Sequence, residues 1–211
     1  MFHISGKTSA DIIKIIEKNA QKIIQIIKKT EITENQRLIK QSVLNPKIIV
    51  DKFRISLQVP SNYSYALDKN NFIWLKKEIV GGNTSLLIYQ IPINSLKKDS
   101  NLSTNIIRVR DSIGDLYIRG TEADSSMITE EAYAPYLFKI QLDGKDTYET
   151  KGTWELKNDF MSGPFINYAI VDKEHDRILV LEGFCYSPSK EKRDLMHELE
   201  AIIKSVVVLK K

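Results

Sequence analysis

The first part of the chain repeats apolar residues at the three- and four-residue spacing of an amphipathic helix. The repeating positions are almost all isoleucine: Ile12, Ile13, Ile15, Ile16, Ala20, Ile23, Ile24, Ile26 and Ile27. Thr8 stands where a cap is expected, so the spacing predicts a helix over residues 9–29. A second helix, or a continuation, is predicted over residues 33–41, and Asn45-Pro46 is predicted to end it. The broad apolar arc predicts burial of the first helix on more than one side.

Beyond residue 50 the pattern changes mostly to the two-residue alternation of half-buried strands. The predicted strands cover residues 53–59, 71–78, 86–91, 136–142, 146–156, 165–171 and 177–186. Helical spacing returns over residues 103–117 and 189–204. Short turns join the strands, so the first three are predicted to form a meander and the last four to form two hairpins.

Strands that are joined by short turns and grouped apart from the helices indicate an α+β fold rather than a doubly wound one. We therefore predict an antiparallel sheet of about six to seven strands with one face covered by helices. The predicted organisation is an N-terminal helical segment, residues 1–45, followed by an α+β domain, residues 46–211, in a single compact domain overall.

Composition narrows the class of protein. The 211 residues are 42% hydrophobic and 27% charged, with a net charge of +4, which is typical of a globular domain and not of a disordered chain. Residues 1–50 hold nine Lys and Arg against four Asp and Glu, so the basic excess lies on the leading helices. The other basic residues are scattered in pairs, and we predict no nucleic-acid partner. The single cysteine, Cys185, excludes an intrachain disulfide.

Motifs of familiar enzyme chemistry are missing from the sequence. No P-loop and no G-x-S-x-G, G-x-G-x-x-G, H-E-x-x-H or C-x-x-C stretch occurs, and we predict neither a cofactor nor a metal site. Asp172, Glu174, His175 and Asp176 could ligate a cation, but turns collect such residues, so we interpret them as a solvated turn. Cys185 is interpreted as a packed strand residue.

The most unusual segment covers residues 151–165, where large apolar side chains stand beside the chain-breaking Gly163-Pro164. Aromatic and methionine side chains concentrated in one loop can form a ligand or partner surface, although such a loop can also fold over the sheet as part of the core. The candidate binding residues are Trp154, Asn158, Asp159, Phe160, Met161, Pro164 and Phe165, together with Lys192 and Arg193. The favoured interpretation is a non-catalytic binding or structural module.

An enzymatic function is the first alternative. A hydrolase could use the carboxylates Asp111, Asp159 and Glu200, with Arg110 or Arg193 orienting the substrate. This function requires at least two of the carboxylates to share one pocket. Otherwise the more ordinary interpretation applies, in which these arginines are charges on helix surfaces.

Association through the leading helices is the second alternative. Residues 9–41 could mediate self-association, or docking to an N-terminal half that this chain lacks. The lysines of the same helix could also face the anionic headgroups of a membrane.

Several of these segments also carry a resemblance to a known family. The matching elements are Asn71-Phe72-Ile73-Trp74-Leu75, Arg110-Asp111, Trp154, Asn158-Asp159-Phe160-Met161, Gly163-Pro164-Phe165, Gly183-Phe184 and Lys192-Arg193. Together they resemble the domain-of-unknown-function family numbered 4837, which is common in Bacteroidetes. The resemblance extends from about residue 12 to the C-terminus, and departures such as Ser162, Cys185 and Ser187 are small.

The resemblance implies a location and not a chemistry. Members are typically longer and often carry a lipoprotein signal, which would make this chain the C-terminal part of a protein tethered in the cell envelope and facing the periplasm. Membrane contact would then occur only through a tether that is absent from this chain. A weaker likeness, at the level of the element pattern, is to Mog1/PsbP-type domains, in which a strand ends in proline, as residues 53–60 do here.

Overall fold

The structure is a computed structural model and describes residues 1–96, 101–122 and 124–210. The α-helices in this part of the chain are α1 (Ser9–Ile39), α2 (Lys47–Phe53), α3 (Leu102–Tyr117) and α4 (Arg193–Ile203). The strands are β1 (Ile55–Ser56), β2 (Ser64–Lys69), β3 (Phe72–Ile79), β4 (Gly82–Pro92), β5 (Met127–Thr129), β6 (Tyr136–Leu142), β7 (Lys145–Leu156), β8 (Ser162–Asp172), β9 (Arg177–Tyr186) and β10 (Val207–Val208). The predicted α+β class is confirmed.

The leading helix α1 is continuous. Thr8 caps it as predicted, because the Asp11 N–H donates to the Thr8 hydroxyl (3.2 Å) and the Thr8 N–H donates to the Asp11 carboxylate (3.1 Å). Near the predicted second start, the Thr33 hydroxyl donates to the Lys29 carbonyl (2.9 Å) and so bonds back along the helix. Residues 33–41 are therefore mostly a continuation of the first helix.

Pro46 was predicted to end a helix, and this prediction is wrong: Pro46 stands at the start of α2, a helix that the sequence pattern did not indicate. Proline is tolerated at a helix start because its missing N–H would have no partner there. Ile55, Leu57 and Val59 are buried in the predicted alternation, yet only two residues of this stretch form a regular strand, β1.

Eight strands form one antiparallel sheet in the order β2-β3-β4-β9-β8-β7-β5, and β6 pairs with another part of β7. The two predicted C-terminal hairpins, β6–β7 and β8–β9, are confirmed. The predicted meander is wrong in its first member, because β2 pairs with β3 whereas β1 pairs with β10. The largely exposed and polar β2 gives no clear alternation, so the sequence did not reveal it.

Helices cover both faces of this sheet and not one face alone. Leu179 and Leu181 of β9 belong to the core beneath α4, whereas Val180 and Phe184 belong to the core beneath α3. We call these the α4 face and the α3 face. Because apolar side chains point to both faces of the sheet, each face needs a cover of its own. Helix α3 covers the second face, where its Tyr117 stacks on Phe72 of β3 with ring centroids 4.1 Å apart.

Helix α1 joins the domain at its C-terminal end. The Gln36 side-chain amide donates to the Ala201 carbonyl of α4 (3.0 Å), Ile39 is buried, and Ile32 packs against the same core. The expected burial of its isoleucine arc is not seen within the chain, since Ile13 and Ile24, among others, are exposed. Over the described residues, no helix combines the length and the apolar character needed to cross a membrane.

The turn between β8 and β9 differs from the solvated turn that was predicted. Asp172 is fully buried and binds three cationic or imidazole groups: Arg177 Nε at 2.9 Å, His175 Nδ1 at 2.8 Å and Lys145 Nζ at 3.3 Å. Burial opposes ionisation, but the hydrogen bond and charge of Arg177, aided by His175 and Lys145, outweigh it and hold the pKa of Asp172 below its usual value. The turn is thus an ion cluster that fixes the β8–β9 hairpin.

Replacing Asp172 with asparagine is expected to lower the free energy of unfolding by about 2 kcal/mol at pH 7, because partly solvated cations lose their shared carboxylate. The folded pKa lies below the unfolded value, so the carboxylate stabilises the fold above about pH 4, and this contribution is lost as the pH falls through the folded pKa. Urea titrations of wild-type chain and variant should therefore converge toward acid. If the difference in the free energy of unfolding between wild type and variant is the same in acid as at pH 7, the Asp172 carboxylate does not stabilise the fold as described.

Candidate functional site

The segment that the sequence singled out is a β-hairpin and not a long loop. Trp154 of β7 lies opposite Gly163 of β8, and only residues 157–161 stand outside the strands. Asn158 turns the chain with φ of 62°, a left-handed conformation that asparagine tolerates better than most residues. The Asp159 carboxylate then accepts a hydrogen bond from the Phe160 N–H (2.6 Å).

Trp154 forms the floor of a groove at the root of this hairpin. It is 2% exposed, its indole N–H donates to the Cys185 carbonyl (3.2 Å), and its ring meets Phe184 edge-on at 5.4 Å. Gly163 makes this approach possible, because a Cβ there would lie 2.1 Å from the Cys185 carbonyl oxygen. The base of the hairpin is therefore held against the backbone of β9 at Cys185.

The groove encloses about 220 Å³ on the α3 face, beyond the C-terminal end of α3. Its apolar lining comes from three strands and the hairpin: Trp74, Trp154, Phe184, Tyr186, Leu156 and Met161. The Trp74 indole N–H is already satisfied by the Ser85 hydroxyl (3.0 Å). Because both indole N–H groups have partners within the chain, the partly exposed Trp74 offers carbon surface to an occupant, and the buried Trp154 supports the groove from beneath.

The rim of the groove carries charges of both signs. Lys76 and Arg119 line one part of it and Asp159 another, and Arg119 is well exposed. Phe160, between the lining residues Asp159 and Met161, is fully exposed to solvent. A large apolar side chain held outside the core, beside an aromatic groove, is the arrangement of a contact surface.

The other candidate binding residues lie elsewhere. Asn158 is exposed in the turn, and Phe165 is buried under α3. Pro164 lines a separate groove on the opposite side of β8, with Met196 and Glu200 of α4.

The basic pair at the start of α4 is also separate from the aromatic groove. Arg193 binds Glu31 of α1 (2.6 Å) and Asp194 (2.9 Å), and the Lys192 ammonium donates to the Lys190 carbonyl (3.3 Å). The structure therefore brings together Trp154, Asp159, Met161 and, at their edge, Phe160, but neither Lys192 nor Arg193.

Arg110 is not the helix-surface charge that its position suggested. It is 1% exposed, and its Nε lies 3.0 Å from a carboxylate oxygen of Glu182, which is fully buried in β9. Asn167 donates to the other Glu182 oxygen (2.8 Å), and the guanidinium lies over the Phe165 ring, 3.9 Å from its centroid. Burial raises the pKa of Glu182, and the charge of Arg110 opposes that rise. This ion pair fixes α3 to the sheet.

The three carboxylates of the hydrolase hypothesis are not brought into one pocket. Asp111 on α3 accepts hydrogen bonds from the Thr129 N–H and hydroxyl, each at 2.8 Å, while Asp159 lies at the rim of the aromatic groove. Glu200 lies on the α4 face, where burial would raise its pKa but the hydrogen bond and charge of Lys204, aided by Lys151, hold that pKa below its usual value. The requirement stated for that hypothesis is not met by these residues.

Glu200 has a neighbour that the sequence did not indicate. The Tyr168 hydroxyl donates to Glu149 (2.6 Å) and lies 3.4 Å from Glu200, with Lys151 Nζ 3.1 Å from Glu149. Burial, followed by these carboxylates, raises the pKa of Tyr168 far above its usual value. Across the described ranges, no group of three His, Cys, Asp or Glu residues is placed to hold a metal ion.

Most of the groove lining was missed by the sequence reasoning. Trp74, Phe184 and Tyr186 come from strands distant in sequence from the hairpin, and Arg119 follows α3. The available signal was Trp74, a large aromatic residue on a predicted strand, but its face could not be assigned before the register was known.

Comparison with known proteins assigns the chain to a family. Among curated proteins, none matches the chain significantly. Two solved structures are similar at 11% identity and a TM-score of 0.47: a point mutant of the protein Mog1, covering 75% of this chain and 92% of that one, and the Ran-binding protein Mog1p of Saccharomyces cerevisiae, covering 74% and 91%. A family model matches residues 42–205, which is most of the chain and holds the groove and the Arg110–Glu182 pair. The resemblance found in the sequence is thereby confirmed over residues 42–205, which excludes α1, and the chain belongs to the family described as Domain of unknown function (DUF4837).

Proposed function

We propose that this protein is a binding module that takes one large apolar side chain of a protein partner into the groove between Trp74 and Trp154. The observation that carries the proposal is the full exposure of Phe160 directly beside that groove. A phenylalanine left in water is unfavourable for the isolated chain, and contact with a partner would remove it from water.

The size of the groove supports a protein partner over a small-molecule ligand. Its volume of about 220 Å³ is below the roughly 300–1,000 Å³ of sites that enclose small molecules. One aromatic or branched aliphatic side chain fits such a volume, and Phe160 extends the apolar area onto the adjoining surface. Aromatic residues with a polar rim are typical of the energetic centre of a protein interface.

The charges at the rim support a preference for particular residues on either side of the partner's inserted side chain. Lys76 and Arg119 lie on the side of the groove formed by β3 and the segment after α3. Both have exposed acidic neighbours, Glu78 at 2.7 Å and Asp115 at 3.7 Å, which a partner's carboxylates would replace at small cost. We therefore expect acidic residues next to the apolar anchor of the partner.

A random peptide library displayed on phage tests the proposal, with the full chain as bait. We expect selection of peptides with one aromatic or large aliphatic residue beside acidic ones, and at least about tenfold weaker binding to Phe160→Ser, which loses about one buried side chain of contact. Phe138→Ser is the matched control, because Phe138 is an exposed phenylalanine on β6, outside the groove. Peptides that bind Phe160→Ser as tightly as wild type, or a library that yields none, would contradict the proposal.

We infer a location in the cell envelope from the family resemblance alone. Fractionation of cells that make the native protein should then recover it with the periplasmic or membrane fraction. Recovery in the cytosol would contradict the inference and leave the proposed groove unaffected.

A further inference from the structure

The N-terminal two thirds of α1 present an apolar face that the rest of the chain leaves about half exposed, with Ile24 and Ile27 at the edge of the cleft between α1 and α4. Ile13, Ile16, Ile24 and Ile27 are each between 41% and 55% exposed. Within the described ranges, hydrogen bonds and ion pairs from α1 to the domain begin only at Glu31. A contiguous patch of this kind is rare on a monomer and marks an interaction surface.

The lysines of α1 lie on the other side of the helix from this patch. At about 100° per residue, the isoleucines of residues 12–27 fall within one half of the helix circumference. The lysines of that stretch and just beyond it fall in the other half: Lys14, Lys18, Lys22, Lys28 and Lys29. Two such helices can therefore join along their isoleucine faces without bringing their lysines together.

The centre of the isoleucine face is symmetric about Ala20. Ile16 and Ile24 lie four residues on either side of it, and Ile13 and Ile27 lie seven residues on either side. In an antiparallel pair with a two-fold axis at Ala20, Ile16 of one copy meets Ile24 of the other, and Ile13 meets Ile27. A surface that is its own complement under a two-fold rotation is what a symmetric dimer requires.

The residue types also favour a helix partner. One seam along the helix, with spacings of three or four residues, holds Ile13, Ile16, Ala20, Ile24 and Ile27, and the small Ala20 at its centre permits close approach. The face lacks the tryptophan and phenylalanine typical of helices that lie in a lipid interface. Neither the symmetry nor the seam would be needed to bind lipid.

We propose that two copies of this chain associate through an antiparallel pairing of their α1 helices about Ala20. The contact covers about 21 Å of helix, from residue 13 to residue 27. It ends before Glu31, which lies on the same face and binds Arg193 of α4. The antiparallel direction places the two domains at opposite ends of the pair. The groove of the proposed function is on the α3 face and is not involved.

Sedimentation of the full chain over a range of concentrations tests the pairing. We expect a dimer whose dissociation constant rises by about 100-fold or more in Ile16→Glu, because one substitution disrupts two symmetric contacts. Lys18→Glu, on the opposite side of the helix, should leave it unchanged. A monomer at every concentration, or a dimer indifferent to Ile16→Glu, would overturn the proposal, and binding of a monomer to phosphatidylserine vesicles would assign the face to lipid instead.

Cysteine cross-linking tests the antiparallel arrangement. Ala20→Cys should form a covalent dimer on oxidation, whereas Ile13→Cys alone should not, because its partner is Ile27; mixing Ile13→Cys with Ile27→Cys chains should restore cross-linking. The natural Cys185 is fully buried and does not interfere. Cross-linking of Ile13→Cys alone as efficient as that of Ala20→Cys would indicate parallel helices and overturn the proposal.

Discussion

Replacing Arg110 with methionine is expected to lower the free energy of unfolding by about 3–5 kcal/mol, the cost of leaving one member of a buried ion pair without its partner. The variant keeps an apolar stem over the Phe165 ring but leaves the Glu182 carboxylate buried opposite no positive charge. Urea denaturation followed by circular dichroism measures the loss.

Two variants control this experiment. Arg108→Met removes an exposed arginine from the same helix and should change stability by less than about 0.5 kcal/mol. The double variant Arg110→Met/Glu182→Met should recover most of the loss, because removing both members replaces the pair with apolar packing. A double variant as unstable as the single one would show that the pair is not the cause.

The pH dependence of Arg110→Met follows from the same contact. Burial raises the pKa of Glu182, and removing the arginine removes the largest contribution that opposes that rise. The folded pKa of Glu182 then lies further above the unfolded one, so protonation stabilises the folded variant below the unfolded pKa and this contribution is lost as the pH rises. The loss of stability relative to wild type should therefore be smaller at pH 5 than at pH 7, and a loss that is equal at the two pH values would contradict the assignment.

Trp154→Ala is the second change with a large expected effect, a loss of about 3–5 kcal/mol in the free energy of unfolding. The side chain is almost fully buried, packs edge-on against Phe184 and donates to the Cys185 carbonyl, and alanine would leave a cavity and an acceptor without its donor. Circular dichroism during urea denaturation measures this without depending on the lost fluorophore.

Trp154→Phe is the matched control, since it keeps an aromatic ring and loses the hydrogen bond, and it should cost about 1–2 kcal/mol. A loss below about 1 kcal/mol for Trp154→Ala would mean that the floor of the groove is not packed as described. Because replacing Trp154 destabilises the fold, a loss of binding in that variant would not separate binding from folding. Phe160 is fully exposed, so its replacement tests binding alone.

The class of fold could be predicted because its determinants are local. The helix α3 and the β6–β7 and β8–β9 hairpins follow from periodicity and from turn residues within each segment. Turns such as Asp143-Gly144, with φ of 51° and 68°, depend only on their own backbone preference. The missed elements, β2 and α2, are those whose apolar pattern is weak or short.

The candidate site could be predicted only in the part that one segment contributes. Trp154, Asp159 and Met161 stand close together in sequence, whereas Trp74 and Tyr186 join them through the order of strands in the sheet. Strand order depends on pairing across the whole chain, and a change of register by one residue would have moved Trp74 to the other face.

Arg110 shows the same limit for a charged residue. Its neighbours in α3 gave a helical pattern with Arg110 among polar positions, and an arginine on a helix is most often exposed. Its burial depends on Glu182, 72 positions later in the numbering, being on the α3 face of β9. Only the paired strands place that carboxylate under the helix.

The most direct test of the binding groove uses the two tryptophans of the chain, both of which line it. The chain is labelled with 5-fluorotryptophan, and a peptide selected from the phage library is titrated while the fluorine resonances are recorded. Insertion of the apolar side chain between Trp74 and Trp154 predicts that both resonances shift in wild type and that the same peptide concentration shifts neither in Phe160→Ser. A peptide that binds and leaves both resonances of the wild-type chain in place would contradict the account.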